Sequence, residues 1–151
     1  MLAPASSMVA LRWLACAPQS GRHYRVPADR VVYAVGDIHG RCDLLDALLT
    51  GIAQHARQSG YACHVVVFLG DYLSRGVDSR AVGERLRSWR LDLRGGARVV
   101  ALKGNHEDLA LRFLGGDLEA GQHWFDYDGL AALAHYGVVA SDPLARDAAA
   151  L

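Results

Sequence analysis

The sequence has no surplus of charge of either sign, because sixteen basic and sixteen acidic side chains cancel. With no net field and no basic stripe, nothing in it calls for nucleic acid or an anionic membrane as a partner. Charged ligands must be recruited by local groups. No apolar run approaches the ~18 residues needed to span a bilayer, so no membrane-crossing helix is expected. Cysteine is scarce: Cys16, Cys42 and Cys63 are odd in number, form no C-x-x-C pair and offer no disulfide framework. That pattern favours a reducing, cytoplasmic compartment. The glycines do not spell G-x-x-x-x-G-K-[ST], so no nucleotide P-loop is present.

What remains is a chain of 151 residues, 52% of them hydrophobic, enough for one globular domain with a real core. Residues 1–28 read as a leader of uncertain structure, 29–140 as the domain and 141–151 as an alanine-rich tail. The opening stretch is mildly apolar, but Arg12 interrupts it and no basic segment precedes it, which argues against an export signal. Met8 is an alternative start.

Strand and helix patterns alternate three times. Val31 to Val35 is a short β-branched run that stops at Gly36, and from Asp43 the residues Leu44, Leu45, Leu48, Leu49, Ile52 and Ala56 recur at helical spacing up to Gly60. His64 to Leu69 repeats the strand pattern and ends in Gly70. The stretch Val77 to Trp89 then places Ala81, Val82, Leu86 and Trp89 on one helical side, with Gly83 weakening the helix. A third strand, Ala97 to Leu102, reaches Gly104 and precedes a helix whose apolar side is expected to hold Leu109, Ala110, Phe113 and Leu114. Beyond Gly116 only one more short helix is legible, around Leu130 and Leu133 and ending at Gly137. Such alternation implies right-handed crossovers, a mostly parallel sheet and an α/β fold.

All three strands deliver polar residues straight after their last apolar position, at the carboxyl ends where open α/β sheets bind ligands. Asp37 and His39 follow the first strand, Asp71 the second, and Asn105 with His106 the third. Carboxylate oxygen, imidazole nitrogen and amide oxygen suit a divalent ion such as manganese, iron, zinc or magnesium. A carboxylate can bridge two ions, and a two-metal site suits phosphate ester hydrolysis.

The blocks G-D-I-H-G at 36–40, G-D-Y-L-S-R-G at 70–76 and G-N-H-E at 104–107 resemble the signatures of calcineurin-like metallophosphoesterases. They look most like the branch of bacterial serine/threonine phosphatases and diadenosine tetraphosphatases. The similarity runs from about Val31 to Gly137, and three blocks in order carry far more weight than one. It implies the N-terminal portion of a two-sheet sandwich with flanking helices. Asp37 and His39 would hold a first metal, Asp71 would bridge two ions, Asn105 would hold the second, and manganese is the first expectation. Arg75 would grip the phosphate through its planar fork. His106 would protonate the leaving oxygen while a metal-bound hydroxide attacks phosphorus in line. The implied substrate is a phosphorylated protein or a nucleotide of the dinucleoside polyphosphate type.

The chain departs from that family in two places. Its second block usually reads G-D-x-x-D-R-G, the second aspartate pairing with the catalytic histidine; here the position is Ser74, which could orient an imidazole but not charge-stabilise it. Two further metal-binding histidines of the family also have no counterpart before Leu151, so the second metal keeps only Asp71 and Asn105. His123 and His135, the later histidines, sit in no matching motif. A catalytically deficient metal-binding or interaction domain is therefore the alternative to an active phosphatase. Oligomeric state is not legible.

Other conspicuous residues have plainer uses. Glu107 is expected to open its helix and complement the dipole there. Trp89, Trp124 and Phe125 read as core anchors. His23, His55 and His64 read as surface or packing residues, and Arg85 to Arg90 as a solvated helix face.

Overall fold

The computed structural model describes residues 25–93 and 96–138. The expected tail lies outside that range, as does the expected leader up to residue 24. Three strands form a wholly parallel sheet in the order β1-β2-β3: β1 (Arg30–Val35), β2 (Cys63–Phe68) and β3 (Ala97–Ala101). Tyr33 faces Val66, and Val66 in turn faces Val99, so alternate side chains of the three strands share a face.

Helix α1 (Cys42–Gln58) and helix α2 (Ser79–Ser88) supply the crossovers. The α1 stripe Leu45, Leu49, Ile52 and Ala56 joins Tyr33, Val35, Val66, Phe68 and Val82 in one buried cluster. Burying each large aliphatic side chain is worth about 1.5–3 kcal/mol, so this stripe decides which way the helix faces. Leu44, expected on the same stripe, is instead exposed. Helix α2 starts two residues later than its apolar pattern suggested. The Asp78 carboxylate accepts from the Ala81 N–H at 2.8 Å and ends the preceding loop there, leaving Val77 exposed.

Three helices follow β3: α3 (Asn105–Leu114), α4 (Leu118–Phe125) and α5 (Gly129–His135). They make a second buried cluster from Leu109, Ala110, Phe113, Ala120, Trp124 and Ala132. Helix α4 escaped the sequence pattern, since its eight residues contain Gly121 and too few apolar positions for a clear stripe. Leu114 points away from this core and is 63% exposed, because the buried stripe of α3 ends at Phe113.

The fold is α/β in kind, as the alternation implied, but among the described residues only one face of the sheet belongs to a buried cluster. Val32, Val65, Val67 and Val100 belong to neither buried cluster. Leu69 and Leu102, just past the strands that carry this face, are 49% and 46% exposed. Among the described residues, no helix is long and apolar enough to cross a membrane.

Candidate metal and phosphate site

The parallel pairing brings the three strand-end loops side by side. Beyond β1, the ladder continues into the loops: Ile38 N–H and His39 N–H both donate to the Asp71 carbonyl, at 3.0 and 2.9 Å. Gly40 N–H donates to the Tyr72 carbonyl at 2.9 Å. On the other side, Gly70 (φ 110°) lies against Gly104 so closely that a Cβ on either would overlap the other loop's backbone. The loops after β1 and β3 are thus fastened to the loop after β2 by main chain.

Within this frame Asp37, His39 and Asp71 each present one donor atom, and the three atoms lie within 4.8 Å of one another. His39 Nδ1 is 2.8 Å from the Leu73 carbonyl, an acceptor only, so that nitrogen carries the proton. Nε2 is left with a lone pair, 3.6 Å from Asp37 Oδ2. This is the arrangement of a metal-ligating histidine oriented by a backbone carbonyl. One Asp71 oxygen accepts the His106 N–H at 3.1 Å, and the other is left for a ligand. Two carboxylates and one oriented imidazole around a common space fit a divalent ion.

Asn105, the first residue of α3, is exposed and sits between Gly104 and His106, both of which touch Asp71. The His106 ring packs edge-on to the His39 ring at 4.7 Å and is almost wholly buried. Burial, reinforced by the His39 imidazole beside it, pushes the His106 pKa below the ordinary histidine range. Its Nδ1 is buried without a hydrogen-bond partner among the described residues. Arg75 is exposed, with its guanidinium carbon 6.0 Å from the centre of the Tyr127 ring.

Ser74 departs from expectation. Its hydroxyl does not orient His106 but accepts a buried hydrogen bond from the Trp124 indole N–H at 2.9 Å. Trp124, read as a core anchor, is both that and a hydrogen-bond donor to this loop. His135 joins no metal group; its Nδ1 accepts the Ser79 N–H at the start of α2, at 3.1 Å. His123 is exposed beside Tyr127.

Sequence reasoning undervalued Glu107. Its two carboxylate oxygens accept four backbone N–H groups, from Asp71, Tyr72, Leu73 and Gly104, at 2.8–3.1 Å. Tyr127, a turn residue with no motif of its own, went unnoticed. The signal for Glu107 was its place three residues after Gly104, at the start of a helix; nothing local announced Tyr127.

The backbone of the site is also unusual. Of the five non-glycine residues with positive φ among the described residues, four belong to these loops: His39 (44°), Asp71 (56°), Ser74 (68°) and Arg75 (64°). Each such conformation costs about 1–3 kcal/mol and persists only where neighbours over-determine it. Here the Glu107 carboxylate, the crossed ladder bonds and the Trp124 clamp do so.

Residues 30–144 match the family model described as calcineurin-like phosphoesterase. The chain belongs to that family. In this calcineurin-like phosphoesterase domain, Asp37, His39 and Asp71 at the strand ends form a group able to hold a metal ion. An uncharacterized protein of Schizosaccharomyces pombe is 40% identical over 88 residues, covering 51% of this chain and 25% of that protein. The chain therefore spans about a quarter of the length of that relative. No solved structure matches it.

Proposed function

We propose that the chain carries the phosphate-handling site of a metal-dependent phosphoesterase. The observation that supports this reading most directly is the convergence of Asp37, His39 and Asp71 donor atoms within 4.8 Å, with His39 Nε2 left free by the Nδ1 bond to Leu73. Asp37, His39 and Asp71 would hold a divalent ion, and Asn105, beside Asp71, would offer an amide oxygen to a second. When bound, such ions polarise phosphoryl oxygens and acidify coordinated water, the chemistry phosphate ester cleavage needs.

The chain's own groups do the rest. Arg75 holds the phosphate through two parallel N–H bonds, which fix the ester's orientation as well as its charge. His106, packed against His39, is the group assigned to supply a proton to the leaving oxygen. The substrates in view are phosphoproteins and dinucleoside polyphosphates, with manganese as the resident ion and a cytoplasmic setting consistent with the free cysteines Cys42 and Cys63.

A second reading has a specific observation behind it. Ser74 is occupied by Trp124 and His106 Nδ1 has no partner among the described residues, so the acid is unsupported there. On that reading the chain binds metal without turning over ester. Titration with manganese followed by p-nitrophenyl phosphate hydrolysis separates the two. Two ions per chain and a rate abolished by Asp37→Asn support the phosphoesterase; one ion and no turnover support the binding domain; no ion at all sinks both.

A further inference from the structure

We infer that Trp124 is a positioning residue for Arg75, acting through its buried hydrogen bond to Ser74. The inference rests on the reading of Arg75 as the phosphate grip. A two-pronged grip works only if the backbone beneath the guanidinium is fixed, and Arg75 is an exposed residue on the loop 69–78 between β2 and α2. That backbone is in the left-handed region at two successive non-glycine positions, φ 68° at Ser74 and 64° at Arg75. Left alone, such a pair would relax to the commoner right-handed or extended forms.

The loop is held at both ends of Leu73, by Glu107 on its N–H and by His39 on its carbonyl. Neither reaches past Leu73. The next fixed point is Ser74, which is 0% exposed. Its N–H donates to Ser79 Oγ at 3.1 Å, its carbonyl accepts from Gly76 N–H at 2.8 Å, and its hydroxyl accepts from Trp124 at 2.9 Å. Of these three bonds, the first two tie the loop to its own continuation into α2. The third comes from the α3–α5 cluster and falls on Ser74 itself, whereas the other bonds from that cluster end at Leu73, from Glu107, or at Ser79, from His135.

The same turn of chain meets Arg75 a second time. Tyr127 N–H donates to the Trp124 carbonyl at 3.0 Å, which sets the Tyr127 ring beside the Arg75 guanidinium on one side and 5.9 Å from His106 on the other. Trp124 therefore fixes the backbone before Arg75 and, through the turn it begins, the surface against which the side chain rests. An indole N–H is a donor only, so the position opposite must be a small acceptor, and serine meets that need.

A plain packing role for Trp124 predicts otherwise. Phenylalanine retains the ring and contacts with Phe113 and Phe125 but removes the N–H. The test uses the 151-residue chain, its Trp124→Phe, Ser74→Ala and doubly substituted forms, and two readouts: the Arg75 Nε–Hε NMR resonance, and inorganic phosphate affinity of the manganese-loaded protein. In each single variant the resonance should move toward its unstructured position, and phosphate affinity should fall about fivefold, one hydrogen bond's worth. The double variant should be no worse than either single one, since both remove the same bond. An unmoved Arg75 resonance and unchanged phosphate affinity in Trp124→Phe, with only thermal stability lowered, overturn the inference. Should the unsubstituted protein bind no phosphate, the phosphate reading of Arg75 fails. The resonance then decides the clamp by itself, a shift sustaining it and no shift overturning it.

Discussion

The Glu107 carboxylate accepts the backbone N–H of Asp71 at 2.8 Å, joining the first turn of α3 to the loop after β2 across 36 residues of sequence. With three more N–H groups on the same carboxylate, this one side chain organises the loop that carries Asp71 and Arg75. Replacing it by glutamine removes the charge and turns an amide NH2 toward N–H donors. Glu107→Gln should lower folding stability by about 3–5 kcal/mol, since several half-buried donors lose an ionised acceptor. Urea denaturation followed by circular dichroism measures it.

A methyl group at position 104 has nowhere to go. Its Cβ would overlap the Asp71 N and Oδ1 atoms, whereas a Cβ at Gly36 meets nothing within 4 Å. Gly104→Ala should cost at least about 3 kcal/mol by overpacking and backbone shift and should weaken manganese binding. Gly36→Ala should stay within about 1 kcal/mol of the parent. Calorimetric titration of the pair with manganese reads both effects.

Gly51 offers the opposite case. It lies inside α1, exposed, with open space around its would-be Cβ. Gly51→Ala should stabilise the protein by about 0.5–1 kcal/mol, by restricting the unfolded chain and improving helix propensity. A rise in Tm with metal affinity unchanged is the expected signature.

The hydrogen bond from Arg41, followed by smaller contributions, lowers the Asp43 carboxyl from 3.8 to about 2. A folded-state pKa below the unfolded one means that the pair's small contribution to stability is present above pH 3.8 and lost as pH falls through about 2. Both groups are exposed, so the effect shows in titration rather than in melting. Carbon-detected NMR of Asp43 should give a midpoint near 2 in the parent and one close to 3.8 in Arg41→Ala.

The strands were legible because β-branched runs stop at glycine, and the site was legible because each run hands over to polar residues. Periodicity read less well where helices are short. Helix α4 hid behind Gly121, and Leu114 lay one residue beyond its helix's buried stripe. Ser74 was misread for a different reason: its partner Trp124 lies 50 residues away, and no local spacing reports such a bond. Glu107 was placed correctly at a helix start, yet its carboxylate turns across to another strand's loop as well as serving its own helix, which only the folded chain reveals.

The sheet face lined by Val65, Val67 and Val100 bears on how this chain behaves in solution. Parallel strands normally read as continuous apolar runs because both faces are covered. Here Leu69 and Leu102 extend that apolar strip to solvent, on a molecule whose net charge of zero provides no mutual repulsion. Colloidal stability should therefore track this strip: hydrophobic-dye fluorescence should be high in the folded state, and solubility should respond more to a lysine at Val67 than to added charge elsewhere.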